Sequence, residues 1–223
     1  MKAMILAAGR GERMRPLTDR RPKPLLEVGG KALVVWLIER LRAGGFRDIV
    51  LNHAHLGAAI VAALGDGAAL GVALRYSAEP AALGTAGGIA QALPLLGAAP
   101  FAAANADVYC ELDFARLRAH ALGPALAHLV LVDNPAHHPA GDFALAGARV
   151  GNAPDRRLTF AGVGVYSPAL FAAVPRGARA ELAPLLRAAA DAGRVTGEHF
   201  AGRWVDVGTP DRLAALDRAL GAR

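Results

Sequence analysis

The chain has 223 residues, of which 54% are hydrophobic, so it is long enough to bury the core of one large α/β domain or of two small ones. Its net charge of +6 favours an anionic partner, but the basic residues are spread along the chain and only 5% of residues are aromatic. This composition excludes the basic face and base-stacking surface of a typical nucleic-acid binder, so we predict no nucleic-acid partner.

Apolar runs and cysteine usage indicate the compartment. No stretch of about 18 apolar residues predicts a membrane span, and the first apolar run lacks the pattern of a signal peptide. The lone Cys110 excludes an internal disulfide and is expected to be a packed thiol. These features predict a cytoplasmic protein without a membrane partner.

The first two-thirds of the chain alternate short apolar runs with segments of helical periodicity. Strands are predicted at 3–8, 48–52, 71–76, 101–104 and 126–132, and helices at 31–43, 56–64, 85–93 and 113–121. This alternation predicts an α/β fold with a Rossmann-like, doubly wound, mostly parallel sheet and right-handed crossovers.

After residue 134 the predicted strands become shorter. Segments 142–146, 148–150 and 158–166 are expected to pair antiparallel and to form a small subregion over the sheet. A helix at 181–192 and a strand at 203–207 follow, and a last helix starts after the N-cap Thr209, with Pro210 at its first position. Because no linker or repeat is evident, we predict a single domain over residues 1–223.

The clearest functional signal is the loop after the first strand. It carries Gly9 and Gly11, then Arg13, and then Lys23 between two prolines. Such a loop leaves the carboxyl end of a parallel strand, where these sheets bind ligands. The glycines let backbone N–H groups approach phosphate oxygens, the arginine can donate to a triphosphate, and the lysine brings a compact charge to the phosphate that is attacked. The spacing is neither that of a Walker loop nor that of a dinucleotide fingerprint.

Two carboxylates at strand ends are candidate metal ligands. Asp107 follows the strand predicted at 101–104, and Asp206 lies in the strand predicted at 203–207. Mg²⁺ prefers one or two carboxylates together with phosphate oxygens and water. Each residue could instead be an ordinary strand-end aspartate, as an Asx turn or beside a helix start. Since they are far apart in sequence, only the fold can bring them together.

Taken together, these segments resemble the signature of the sugar-1-phosphate nucleotidyltransferases along the whole chain. The resemblance implies an enzyme that joins a nucleoside triphosphate to a sugar 1-phosphate and releases pyrophosphate. It implies that the triphosphate is wrapped by Gly9, Gly11, Glu12 and Arg13, and that Lys23 contacts the α-phosphate. Arg13 and Lys23 are then the expected catalytic residues.

The same resemblance assigns three further groups. Mg²⁺ is expected at Asp107 and Asp206. Base recognition is expected at a Gly-rich loop with Glu79, Gly84 and Gly87. Sugar contacts are expected from Asn105, Gly141, Gly162 and Glu181.

Within the family, the His-His-Pro-Ala-Gly-Asp-Phe stretch at 137–143 is similar to the short N-acetylmuramate-1-phosphate uridylyltransferases. This implies UTP as donor, N-acetylmuramate 1-phosphate as acceptor and a role in peptidoglycan recycling. Leu-Gly-Thr-Ala at 83–86 is frequent in guanylyl- and uridylyl-transferring relatives, whereas the muramate-type uridylyltransferases more often carry Glu at the position of Gly84. A mannose-1-phosphate guanylyltransferase therefore stays open as an alternative function, as does a non-catalytic nucleotide-sugar sensor.

The absence of lysine after Lys31 disfavours the glucose-1-phosphate enzymes of the same family. The oligomeric state stays open, with a monomer as one option.

Overall fold

The fold is given by a computed structural model that describes residues 1–221. The strands are β1 (Ala3–Leu6), β2 (Glu27–Val28), β3 (Lys31–Ala32), β4 (Asp48–His53), β5 (Ala73–Ala78), β6 (Phe101–Asn105), β7 (Val108–Cys110), β8 (Ala127–Val132), β9 (Phe143–Ala146), β10 (Arg149–Gly151), β11 (Arg157–Tyr166), β12 (Val195–His199) and β13 (Trp204–Asp206). The helices are α1 (Leu33–Ala43), α2 (Gly57–Leu64), α3 (Gly84–Leu96), α4 (Phe114–Ala119), α5 (Leu182–Asp191) and α6 (Pro210–Gly221). Across these residues no helix is both long and apolar enough to cross a membrane.

A nine-stranded mixed sheet organises the molecule, in the order β5-β4-β1-β6-β11-β8-β12-β10-β9. β5, β4, β1 and β6 are mutually parallel, as predicted, and β8 and β12 are parallel to each other. β4 and β6 flank β1 on opposite sides, so the strand order reverses between β1 and β6. Ligands of open α/β sheets bind at such a reversal, outside the carboxyl ends of the strands.

The three later strands differ from the prediction in their location. They pair antiparallel, as expected, but they belong to the main sheet instead of lying over it, and β11 runs between β6 and β8. The physical reason is the burial of β11 on both faces: Val163 and Val165 pack into one core and Tyr166 into the other. β12 was not predicted, because the Thr-Gly-Glu sequence at its centre has low strand propensity.

Two cores cover the two faces of the sheet. Alternate residues of β1 point to opposite sides, so Ala3 and Ile5 pack under α1 and α2, while Met4 packs under α3 and α5. Each large apolar side chain that is fully buried in this way contributes about 1.5–3 kcal/mol to folding. The sheet is therefore a rigid support for the loops at its carboxyl edge.

A third core joins the first loop to the end of the chain. Met14, Val28, Val207, Leu216 and Leu220 pack together, and α6 thereby covers the loop that follows β1. β7 and β13 form a separate two-stranded antiparallel sheet beside this core. Residues near both ends of the chain are thus held next to the carboxyl edge of β6.

His128 is a buried histidine on β8, away from this edge. Its ring stacks on that of His120 with 3.7 Å between centroids, its Nδ1 lies 2.9 Å from the Thr196 hydroxyl, and its Nε2 lies 3.9 Å from Glu198 Oε1. Burial, and secondarily the neighbouring His120, lower the pKa of His128 to about 4. The ring is therefore neutral in the folded protein at neutral and mildly acidic pH.

This burial predicts acid sensitivity. In the unfolded chain a histidine titrates near pH 6.5, so between about pH 6.5 and 4 the unfolded state binds more protons than the folded state, and stability falls as the pH falls. We expect the free energy of unfolding of wild type to drop by roughly 2–3 kcal/mol more than that of His128→Gln across this window. Urea unfolding at several pH values measures the difference. His55→Gln, which replaces an exposed histidine, should keep the wild-type pH dependence, and equal slopes for wild type and His128→Gln would contradict the assignment.

Candidate functional site

Three adjoining clefts open at the carboxyl edge of β1 and β6. The first, of about 270 Å³, is lined by Leu6, Ala7, Ala8, Gly9, Lys23, Pro24, Asn52, Ala82, Gly84, Thr85, Asn105, Ala106, Asp107 and Glu181. The second, of about 410 Å³, is lined by residues 9–14, Lys23, Asp107 and Gly208. The third, of about 380 Å³, is lined by Arg13, Asn105, Asp107, Val108, His137, His138, residues 159–162, Trp204 and Asp206. Asp107 lines all three clefts, so it stands where they meet.

The loop after β1 is held in one conformation by its own contacts, and one of its glycines, Gly9, is exposed to the cleft. Gly11 has a φ of 66°, and a Cβ there would lie 3.0 Å from the Thr18 side chain. The buried Thr18 hydroxyl donates to the Gly11 carbonyl oxygen at 2.8 Å, and Met14 anchors the loop in the third core. Gly9 has nothing within 4 Å of its would-be Cβ, so its backbone is accessible to a ligand. Thr18 was not assigned from the sequence.

Arg13 and Glu12 extend from this loop toward solvent. The exposed Arg13 lines the second and third clefts, and Glu12 lines the second, with its carboxylate 3.8 Å from Arg10. Arg15 points elsewhere and pairs with Asp19 at 3.4 Å. Of the three arginines, Arg10 and Arg13 line the second cleft, and of these two it is Arg13 that also lines the third.

Lys23 reaches the same junction from the Pro-Lys-Pro turn. Its Nζ donates to Asp107 Oδ2 at 2.5 Å, and only 11% of its side chain is exposed. The neighbouring prolines fix the backbone of this short 3-10 turn, with Pro22 as its N-cap. The lysine charge is thus held beside the carboxylate that lines all three clefts.

The fold brings the two predicted metal carboxylates to one cleft. In the ladder between β7 and β13, Asp206 pairs with Val108, and the Val207 N–H donates to the Asp107 carbonyl oxygen at 2.9 Å. Both carboxylates line the third cleft. Asp206 Oδ2 also accepts from Arg212 Nη1 at 2.6 Å and lies 3.2 Å from His137 Nε2.

This pair of carboxylates fits a magnesium ion that is shared with a phosphate ligand. Both side chains are only partly buried and face a cleft whose rim carries a phosphate-type glycine loop. Within residues 1–221, no three His, Cys, Asp or Glu side chains come together as a group that could hold a metal. Mg²⁺ needs no such cage, because it takes one or two carboxylates and leaves its other positions to phosphate oxygens and water.

Glu79 is buried next to the first cleft and holds two of the segments that line it. The carboxylate is 6% exposed, and it accepts from Asn52 Nδ2 at 2.6 Å and from the Leu83 N–H at 2.9 Å. Asn52 in turn accepts from the Ala7 N–H at 2.8 Å. Glu79 therefore ties the start of α3 to the ends of β1 and β4, and Asn52, which was not assigned from the sequence, lines the cleft in its place.

The two glycines of the predicted base loop allow close packing against residues 178–181. Gly84 has a φ of 72°, and a Cβ there would lie 2.6 Å from the Ala180 carbonyl oxygen. A Cβ at Gly87 would lie 2.4 Å from the Ala178 oxygen, and the Gly87 N–H donates to the Ala180 oxygen at 3.1 Å. Gly84 lines the first cleft with Glu181, whereas Gly87 is buried at the contact. The glycines thus hold Glu181 at the cleft of the base loop, and not beside Gly162.

Asn105 and Gly162 form one wall of the third cleft. Gly162 has a φ of 72° at a shift in the β11–β8 register, and a Cβ there would lie 2.6 Å from Asn105 Nδ2. Asn105 also lines the first cleft, so its amide stands between the two spaces. This contact is possible only because residue 162 has no side chain.

Gly141 shapes the loop between β8 and β9. Its φ is 60°, and its N–H donates to the His138 carbonyl oxygen at 3.3 Å, so the amide is used inside the turn. Asp142 braces the loop by accepting from the Phe160 N–H at 2.8 Å. His137 and His138 line the third cleft, whereas Gly141 does not. No sequence pattern indicates His137 as a partner of Asp206, because the two residues are 69 positions apart in the chain.

Comparisons with known proteins agree with this architecture. Residues 2–148 match the family described as nucleotidyl transferase. The chain is 53% identical over 229 residues to the N-acetylmuramate alpha-1-phosphate uridylyltransferase of Neisseria meningitidis, with 100% of this chain and 99% of that protein covered. It is 36% identical over 233 residues to the protein of the same name from Caulobacter vibrioides, with 98% and 96% covered. A solved structure from Bacillus anthracis described as a glucose-1-phosphate thymidylyltransferase shares the fold, with a TM-score of 0.88 at 22% identity, and 100% of this chain and 96% of that one are covered.

The Asn105–Gly162 contact generates a testable prediction. Gly162→Ala adds a Cβ 2.6 Å from Asn105 Nδ2 and must displace this amide from the cleft wall. We expect at least a tenfold loss in kcat/KM for the acceptor, by the rule that small misplacements in a site cost on the order of ten- to a hundredfold. Gly147→Ala is the matched control, since its φ of 59° is equally strained but nothing lies within 4 Å of the added Cβ. Equal kinetic losses in the two variants would mean that the contact is unimportant.

Proposed function

We propose that this chain, which belongs to the nucleotidyl transferase family, transfers a uridylyl group from UTP to N-acetylmuramate 1-phosphate. An oxygen of the sugar phosphate attacks the α-phosphorus of UTP, the bond to the β-phosphate breaks, and pyrophosphate leaves. The observation that carries the choice of substrates is the 53% identity over the full chain to a relative of that name. The product would be a UDP-sugar that peptidoglycan synthesis can reuse, and we place the reaction in the cytoplasm, where the unpaired Cys110 stays reduced.

The residues at the cleft junction supply what this transfer needs. Phosphoryl transfer depends on positioning and charge stabilisation more than on covalent chemistry. Backbone N–H groups near Gly9 and Gly11 are available to the triphosphate, and Arg13 can donate to it from the rim of the second cleft. Lys23 Nζ, which pairs with Asp107 at the cleft junction, would donate to the phosphate that is attacked. Asp107 and Asp206 would hold Mg²⁺, which, when bound, neutralises charge on the phosphates.

The first cleft is the proposed place of the base. Gly84 and Thr85 line it at the start of α3, and the buried Glu79 and Asn52 fix that start relative to β1. The glycine at 84 has a packing reason, because a side chain there would meet the Ala180 carbonyl oxygen at 2.6 Å. Position 84 therefore carries glycine, and not the glutamate more often found in muramate-type enzymes, because residues 178–181 approach it closely.

The third cleft is the proposed place of the acceptor sugar. Asn105 and Gly162 form its wall, and the His137–His138 pair closes it from the loop between β8 and β9. Trp204 Nε1 donates to the Ala161 carbonyl oxygen at 2.9 Å and fixes the strand beneath this wall. An acceptor bound here would have its phosphate next to Asp107, where the three clefts meet.

A second candidate activity is mannose-1-phosphate guanylyl transfer, favoured by Leu-Gly-Thr-Ala at 83–86 in the base loop. A candidate of another class is a nucleotide-sugar sensor that binds without turnover. The pairing of Lys23 with Asp107 and the approach of Asp206 favour an enzyme, since a sensor has no use for a charge-stabilising centre.

A matrix of substrates tests the proposal. Pyrophosphate release is measured with each of the four common NTPs against N-acetylmuramate, mannose, glucose and N-acetylglucosamine 1-phosphates, with and without Mg²⁺. We expect release with UTP and N-acetylmuramate 1-phosphate, and only with Mg²⁺. Release with GTP and mannose 1-phosphate would select the second candidate. Tight nucleotide binding in equilibrium dialysis with no release in any combination would support the sensor.

Variants of the charge-stabilising residues test the mechanism. Lys23→Ala and Asp206→Asn should each lower kcat by about 10²–10³-fold, the loss seen when one stabilising group is removed from a transition state. Lys31→Ala and Asp211→Asn are the matched controls, because they remove a lysine and an aspartate that line none of the three clefts. Turnover near the wild-type value in a folded Lys23→Ala protein would rule out the assigned role.

A further inference from the structure

Asp206 lies in a cluster of three charged or polar side chains. Its Oδ2 accepts from Arg212 Nη1 at 2.6 Å and lies 3.2 Å from His137 Nε2, and the same Arg212 nitrogen lies 2.7 Å from that ring nitrogen. Only 25% of the Asp206 side chain and 21% of the Arg212 side chain are exposed. The cluster separates the third cleft from a further cleft of about 330 Å³ lined by Pro135, Phe200 and other residues.

The start of α6 is shaped to hold the guanidinium over this carboxylate. A Cβ at Gly208 would lie 2.3 Å from Arg212 Nη2, so the side chain folds back over a residue without one. Thr209, which precedes the helix, places its hydroxyl 3.4 Å from both the backbone N and the Nε of Arg212. The ion pair is therefore held by the local backbone as well as by the charge attraction.

This pairing changes how the site can take a metal. Asp107 is paired with Lys23 and Asp206 with Arg212, so both proposed ligands already have a cation within hydrogen-bond distance. A divalent ion that arrives alone must compete with both cations, and two carboxylates give it few ligands. A triphosphate brings further oxygen ligands and negative charge, which also gives the displaced cations new partners.

We propose that Arg212 is a positioning residue, which acts as the counter-ion of Asp206 and makes metal binding depend on the bound triphosphate. The two ligands then bind with positive coupling, and by linkage each raises the affinity of the other. The inference rests on the proposed function, because it takes Asp206 as a metal ligand.

Binding of Mn²⁺ to the full chain, followed by electron paramagnetic resonance with and without UTP, tests the inference without turnover. Arg212→Gln should raise the affinity for Mn²⁺ alone by about fivefold, the size expected for a pair of partly exposed charges. The factor by which UTP raises Mn²⁺ affinity should fall correspondingly. Arg212→Lys keeps the charge and should stay near wild type.

Arg218→Gln is the matched control, since it removes an exposed arginine from the same helix, and it should leave both affinities unchanged. Arg212→Met also removes the charge but keeps the aliphatic stem. It replaces Arg212→Gln in the Mn²⁺ measurement if thermal unfolding shows that Arg212→Gln does not fold. An unchanged or weaker affinity for Mn²⁺ alone in the folded charge-removing variant would overturn the inference.

Asp206→Asn distinguishes a failure of the proposed metal site from a failure of the role given to Arg212. If this variant leaves Mn²⁺ binding with UTP unchanged, the proposed metal site is wrong and the inference fails with it. If it weakens that binding while Arg212→Gln changes nothing, the inference alone fails.

Discussion

The pairing of β7 with β13 is the constraint on which the site depends. It sets the backbone of Val207 against Asp107 at 2.9 Å and so brings a carboxylate from the end of the chain to one at the edge of the main sheet. The pairing is held from outside by α6, whose Leu216 and Leu220 pack with Met14 of the first loop. The phosphate-type loop and the two carboxylates therefore form as one unit, and damage to any of these three segments is expected to reach the others.

Several glycines of the functional motifs serve the site through packing. Gly84 and Gly87 admit residues 178–181 against α3, and Gly162 admits the Asn105 amide, with each would-be Cβ at 2.4–2.6 Å from its neighbour. Of the six glycines assigned to the site from the sequence or to its loops, which are Gly9, Gly11, Gly84, Gly87, Gly141 and Gly162, only Gly9 has nothing within 4 Å of its would-be Cβ. A glycine-rich motif in this fold thus contains two kinds of residue, those that leave room for a ligand and those that leave room for the protein itself, and a sequence pattern alone does not separate them.

The parts of the fold that the sequence predicts are those encoded locally. Apolar runs and helical periodicity place β1, β4, β6 and the helices between them, because each element buries a face that its own residues define. The position of β11 in the centre of the sheet is not encoded locally. The alternation of its residues indicates a strand, but it does not indicate with which strands β11 pairs. The same limit applies to the site. Lys23 and Asp107 stand in recognisable motifs, whereas Arg212 is an ordinary helix residue until the fold sets it against Asp206.

The charges around the junction indicate how a phosphate-rich ligand would be balanced. Lys23 and Arg212 are each paired with a carboxylate. Arg10 and Arg13 also line the clefts, but so do Glu12 and Glu181, so the charged side chains balance before any ligand binds. A triphosphate together with a sugar phosphate would add much negative charge, and we propose that a cation held by the two carboxylates balances part of it. The ion pairs keep those carboxylates from being left unpaired in the partly buried site until such a ligand arrives, because an uncompensated buried charge is costly.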